Sequence, residues 1–450
     1  MEKRKKADLL SGSIWKSILW FSLPLLIGNL FQQLYNTVDS YVVGNYVGET
    51  ALAAVGASSP VINMLIGFFM GIAAGAGVVI AQYFGARNDR DLKKTVHTSA
   101  ALTLLLSVII TIIGLAFTEP LLHAISVPSN IFEQSSLYLW IYFSGIAFAL
   151  IYNMGSGVLR AVGDSKRPLY FLIIASLINV VLDFLFVAYF GWGIAGAGIA
   201  TLIAQAVSAL LVVLVLMRSD TPYRLEFKKI GFDLPILKRV IMIGLPTGFQ
   251  QSVVSLSNVI VQSYVNGFGS SVVAGYSAAI RIDGFINLPL QSFNMAITTF
   301  VGQNMGAKQY HRVKKGIKTT MAMTMAVIGG LSILLYFFGE DFIRVFNQSP
   351  NVIEAGRTMQ LAFIPFYLTL PIVQIINGAL RGAGKSSVPM YIMVLNFVIF
   401  RQIYLMIATS IVKDIYIVYL GWPVTWITCA IMFIVYYYKV NWLPKEIVSE

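Results

Sequence analysis

One cysteine, Cys429, in 450 residues rules out an intramolecular disulfide. Three histidines, His97, His123 and His311, lie scattered near the ends of apolar segments, so neither a metal-ligand spacing nor a nucleophile–base constellation is present. No P-loop occurs, which removes ATP as a direct energy source. Charge is scarce too: 12% of residues are Asp, Glu, Lys or Arg, where a soluble domain carries about 25%. An enzyme is not expected, and no cofactor is expected.

What fills the chain instead is apolar sequence, 57% of all residues. Twelve runs long enough to cross a bilayer as helices can be marked, from 16–44 to 415–438, each of about 20 residues or more. Strand-like alternation of the barrel type is absent. The first run is too long for a signal peptide and has no small-residue cleavage pattern after it. The expected fold is an all-α polytopic membrane protein with twelve transmembrane helices.

The net charge of +12 could suggest nucleic acid, but its placement argues otherwise. With alternate loops on opposite sides, one side holds 27 of the 32 Lys and Arg, and both termini lie on that side. The other side holds Arg344, Arg357 and Lys413, while Arg281 and Arg401 fall inside apolar runs. This asymmetry places both termini in the cytoplasm of a multi-pass cell-membrane protein. No nucleic-acid partner is expected.

The stretch "QYFGARNDRDLKK" at 82–94 recurs as "QNMGAKQYHRVKK" at 303–315, a shift of 221. The same shift lays "GVLRAVGDSKRPLY" at 157–170 on "GALRGAGKSSVPMY" at 378–391. Two pseudo-symmetric six-helix bundles are therefore expected, 1–217 and 240–450, joined by a charged cytoplasmic linker at 218–239. An even number of spans per half makes the repeat parallel, an arrangement suited to alternating access. The repeated loops read as Gly and Pro turns with basic side chains at the anionic leaflet.

Five ionisable side chains lie deep in the apolar runs: Asp39, Asp183, Asp283, Arg281 and Arg401. Each costs about 2.5–3.5 kcal/mol at a helix centre, so each calls for a partner or a function. Counting helix rise from the outer turns puts Asp39, Asp183 and Thr201 about 10–12 Å deep, with Asn179 one turn from Asp183 on the same face. Such a cluster would titrate as a coupled unit or hold a small cation such as Na+ on its oxygens; no other metal is expected. A static hydrogen-bonded knot is the competing reading. The second half has no copy of the cluster, since Asn179 and Asp183 fall on Phe400 and Tyr404. There, Asp283 and Arg401 at matching depth are expected to form a structural ion pair, and Arg281 has no evident partner.

The twelve runs, the repeat, Pro24, Asp39, "VGQNMGA" at 301–307 and "LRGAGKS" at 380–386 together resemble the multidrug and toxic compound extrusion (MATE) family over essentially the whole chain. The resemblance implies a V-shaped pair of lobes and efflux of amphipathic, often cationic, organic compounds in exchange for inward H+ or Na+. Asp39, Asn179, Asp183 and Thr201 match the polar cluster of the family's DNA-damage-inducible branch, and Pro24 matches the proline at which its first helix bends. The other main branch uses acids in helices 7 and 10; here span 7 has none and span 10 has none beyond Glu354 at its outer end. A lipid or lipid-linked-oligosaccharide flippase of the related superfamily is the alternative function. Small organic compounds, the coupling ion and the bilayer are the expected partners, and a monomer is expected.

Overall fold

The computed structural model describes residues 8–125 and 127–444. Among these, regular structure is helical throughout. The first half holds α1 (Ile14–Val47), α2 (Glu49–Gly85), α3 (Asp89–Ala124), α4 (Ser129–Ala161), α5 (Lys166–Tyr189) and α6 (Gly193–Met217). The second holds α7 (Leu234–Asn266), α8 (Ser270–Gly306), α9 (Tyr310–Phe346), α10, α11 (Ser387–Ile411) and α12 (Ile415–Lys439). α10 has two arms, Pro350–Phe366 and Thr369–Gly382, bent by 60°. Nine of the described helices are long and apolar enough to cross a membrane alone, and α10 makes a tenth if its arms form one span. The two that fall short, α7 and α8, are long but loaded with amides, hydroxyls and the charges Arg281 and Asp283.

The repeat reaches the backbone. Gly48 and Gly269, Arg87 and Lys308, and Gly163 and Gly384 are pairs at the 221 shift, and all six have positive φ. At Arg87 the Asn88 amide donates to the Tyr83 carbonyl (3.0 Å) and the Arg87 amide to that of Phe84 (3.1 Å). That is the Schellman closure of a helix C-terminus, which needs a left-handed residue and usually takes glycine. Lys308 and Gln309 repeat it on Met305 and Asn304. A left-handed Arg or Lys costs about 1–2 kcal/mol where glycine would cost nothing, and this chain carries that cost twice at matching places.

The chain packs as two compact units, one of Leu23–Gly248 and one of Asp8–Ser22 with residues from Phe249 onward. These units and the sequence halves are different divisions of the chain. α1 starts in the second unit and enters the first between Ser22 and Leu23; α7 starts in the first and enters the second after Gly248. Pro24 and Pro246 stand beside the two crossings, each inside a helix that runs on through it.

In the first unit α4 is central, packed on α2, α3 and α6. α2 and the start of α7 meet backbone to backbone through two Gly-x-x-x-Gly pairs. A Cβ at Gly71 would lie 2.1 Å from the Gly248 nitrogen, and one at Gly75 would lie 2.5 Å from that of Gly244. In lipid, close packing of this kind stands in for the hydrophobic drive that helices lose there. The linker is pinned alongside: Lys93 pairs with Glu226 (2.5 Å) and Lys94 with Asp233 (2.8 Å), while His97 Nε2 accepts the Glu226 amide (3.1 Å). Hydrogen bonds from Lys229 and Lys93 hold the Glu226 carboxyl down at about 2.

In the second unit α8 is central, against α9 and both arms of α10. The segment leading into α1 is tied down here as the linker is in the first unit. Arg312 donates to the carbonyls of Leu9, Ser11 and Gly12, and Asn304 donates to that of Leu9.

The Gly-x-x-x-Gly crossing yields a test by thermal unfolding in detergent. Gly71→Leu should cost at least about 1–3 kcal/mol, because its side chain meets backbone that cannot turn aside. Gly56→Leu, on the same helix with nothing within 4 Å of its Cβ, should be neutral. Equal melting of the two variants would show that the crossing does not constrain the fold.

Candidate functional site

In the first unit three helices bring the polar cluster together. Asp39 lies on α1 one turn before a π-helical stretch, Val43–Val47. Asn179 and Asp183 lie on α5, and Asp183 directly precedes a second π stretch, Phe184–Tyr189. Such wide turns re-aim the side chains beside them and are frequent at functional sites. Thr201 faces them from α6. Asp39, Asn179 and Asp183 are 9%, 1% and 0% exposed.

The cluster is short of donors. Asn179 Nδ2 donates to Thr201 Oγ1 across a long 3.4 Å. Asp39 Oδ1, both Asp183 oxygens and Asn179 Oδ1 have no hydrogen-bond partner among the described residues. Asp39 and Asp183 lie close enough to act on each other electrostatically, and both act on Tyr35 and Tyr138. A buried acceptor left unpaired costs about 1–3 kcal/mol, more when charged. Four such oxygens in one place form a poor knot and a good seat for a proton or a hard cation.

Sequence reasoning missed Tyr35, Tyr138, Tyr142 and Gln205. Tyr142 lies near Gln205, one turn beyond Thr201 on α6, and near Tyr35. Tyr35 sits one turn before Asp39. Helical spacing from Asp39 and Thr201 points to Tyr35 and Gln205, whereas Tyr138 and Tyr142 come from α4, whose two charges, Glu133 and Arg160, lie near its ends and do not flag them.

The expected pair in the second unit does not form. Arg401, fully buried beside the π stretch Leu395–Phe400, donates from Nη1 to Asn258 Oδ1 (2.9 Å) and from Nη2 to Thr425 Oγ1 (3.1 Å). Its guanidinium lies over the rings of Phe397 (4.6 Å) and Trp422 (5.3 Å). Asp283 instead accepts from Asn287 Nδ2 of its own helix (3.3 Å) and lies near Tyr367 at the bend of α10. Equal depth fixes only the coordinate along the membrane normal. Neutral dipoles take both Nη groups and ring faces cover the guanidinium without a carboxylate, while Nε stays unpaired.

Two helices also present polar stripes on exposed faces: Gln33, Asn36, Thr37 and Ser40 on α1, and Gln251, Ser255 and Asn258 on α7. Amides and hydroxyls in such rows are costly against lipid, so these faces suit water-filled space.

A family model named MatE matches residues 24–185 and again 246–407. The probable multidrug resistance protein YoeA of Bacillus subtilis (strain 168) is 29% identical over 445 residues, 97% of this chain and 96% of that protein. The probable multidrug resistance protein NorM of Thermotoga maritima is 25% identical over 384 residues, 84% of this chain and 82% of that one. Among solved structures, an outward-facing multidrug resistance MATE family transporter of the MOP superfamily superposes with a TM-score of 0.90. The two share 24% identity over 97% of this chain and 98% of that one.

A double-mutant cycle on thermal stability checks the separation of Asp283 from Arg401. Asp283→Asn and Arg401→Gln should each destabilise, and their effects should add to within about 0.5 kcal/mol. Rescue of one by the other would restore the ion pair.

Proposed function

The chain belongs to the MatE family, a family of membrane transporters and not of enzymes, and from that premise we propose a secondary antiporter that exports amphipathic organic compounds by alternating access, in exchange for inward H+ or Na+. The observation that carries the coupling site is the group of donor-starved oxygens at Asp39, Asn179 and Asp183, with Thr201 beside them. A proton or Na+ arriving there removes buried charge that has too few donors around it, and its departure restores that charge. Carboxylate, amide and hydroxyl oxygens are the ligands a hard cation takes. α1 carries Asp39 and also runs from one unit to the other beside Pro24, so a change of charge at Asp39 acts on the helix that joins them. Bending at Pro24, where the ring removes a backbone donor, is the proposed mechanical response. The names of the multidrug resistance relatives support export of varied compounds. Lipid flipping is the weaker reading, because several cations would be wanted for phosphates and, away from the helix ends, the exposed faces of α1, α7 and α8 offer one cation, Arg281.

Efflux of amphipathic dyes from energised vesicles, with pH and Na+ gradients imposed separately, tests the coupling. Asp39→Asn keeps the shape and polarity of the protonated acid but can neither release a proton nor carry charge. It should abolish gradient-driven efflux in a protein that still inserts and folds. Thr201→Ala should cost no more than about tenfold, since one neutral hydrogen bond is worth about 0.5–1.5 kcal/mol. Wild-type coupling in Asp39→Asn would return the cluster to a packing role.

We propose further that both termini and the 218–239 linker face the cytoplasm. In a Cys429→Ser background, cysteines at Ser129 or Gln348 should label rapidly from outside and one at Asp89 should not. The reverse pattern would invert the orientation.

A further inference from the structure

Arg281 is exposed in the interior of α8 and has neither an ion pair nor a hydrogen bond among the described residues. It sits about 16 Å, or three turns, from the Ser270 end of the helix and much farther from the Gly306 end. That depth is too great for the snorkelling that rescues arginines near helix ends, so this face of the second unit must meet water or a ligand. Its surroundings agree. Ser277 and Gln291 are exposed on the same side of α8, and α7 of the same unit carries its own exposed stripe of amides and hydroxyls.

The charge has no local counterweight. Asp283, the one acid on α8, points the other way to Asn287 and Tyr367, and α7 has no acid at all. Three residues on from Arg281, Gly284 leaves open space, with no heavy atom within 4 Å of where its Cβ would lie. One turn from Arg281, the ring of Phe285 is 53% exposed. An unpaired cation, a gap and a free aromatic face thus fall on consecutive turns of one helix face. The repeat does not carry these residues: at the 221 shift Arg281, Gly284 and Phe285 correspond to Pro60, Asn63 and Met64.

We infer that Arg281, with Phe285 and the gap at Gly284, forms an anion-recognising subsite, so that the exported compounds include amphipathic organic acids bearing a carboxylate, sulfonate or phosphate beside an aromatic or apolar body. The inference rests on the transporter reading above and narrows its substrate class. The guanidinium holds the acid by two parallel N–H donors, as arginine does for planar oxyanions. Phe285 stacks on the apolar body. A cationic compound meets repulsion at the same place and must bind elsewhere or more weakly.

Fluorescein and rhodamine 6G share a xanthene core and differ in the sign of their charge, which makes them suitable probes. Their binding to the full-length protein in lipid nanodiscs is measured by fluorescence polarisation against empty nanodiscs. Fluorescein should bind at least about tenfold more tightly, the worth of one charge-assisted hydrogen bond. Arg281→Gln should bring the ratio of the two affinities close to one, Arg281→Lys should keep part of it, and Phe285→Ala should weaken both dyes alike. An equal or reversed preference in the wild type, or a ratio untouched by Arg281→Gln, overturns the inference. So does failure of both dyes to bind. None of these results bears on coupled efflux, which the Asp39→Asn experiment decides separately.

Discussion

Hydrocarbon offers no water to a polar group, and the main features of this protein follow from that one lack. Backbone groups must be paired within helices, so every long apolar segment among the described residues is helical. Helices gain nothing from burying leucine against leucine when lipid is equally apolar, so they are held by close contact. The Gly71–Gly248 and Gly75–Gly244 approaches are the tightest instance. Ionisable groups face the same lack and meet it in two ways. Arg401 gives its two Nη groups to neutral acceptors and lies over two ring faces, with its Nε left unpaired. Asp39 and Asp183 keep oxygens that nothing satisfies, and a group in that condition responds to whatever ion reaches it.

The internal repeat separates what a lobe needs in order to fold from what it does once folded. Matching turns are retained down to left-handed φ at Arg87 and Lys308, where neither residue favours that conformation. Matching ties pin the segment that leads into α1 and the one that leads into α7, with different residues in each. The chemistry is not retained. Asn179 and Asp183 become Phe400 and Tyr404, and Pro60 becomes Arg281. The carboxylate cluster belongs to one unit and the exposed cation to the other.

Most of the architecture is legible in the sequence because its signals are long. Apolar runs of membrane length and a repeat at fixed shift each involve many residues, and errors average out. Asp39, Asn179, Asp183 and Thr201 are legible for a narrower reason: polar groups at one depth in a narrow bundle have few places to be. The same reasoning fails for Asp283 and Arg401, where depth says nothing about direction around the helix and the true partners, Asn258, Thr425 and Asn287, are uncharged. Tyr35 and Tyr138 escape notice because a tyrosine in a membrane helix ordinarily marks an interface. The left-handed turns escape because the glycines beside them, Gly85 and Gly306, look like the residues responsible.

The crossings of α1 and α7 bear on how such a chain could arise. Each begins in the unit that holds the rest of the other half, and the exchange is reciprocal. Reciprocal loan of one identical element between two copies is the signature of domain swapping in a symmetric dimer. A six-helix ancestor that lent its leading segment to a twin would need only a linker to become this protein, and the fusion would make the loan permanent. Neither half, cut out as a separate chain, would then contain all the residues of either packed unit.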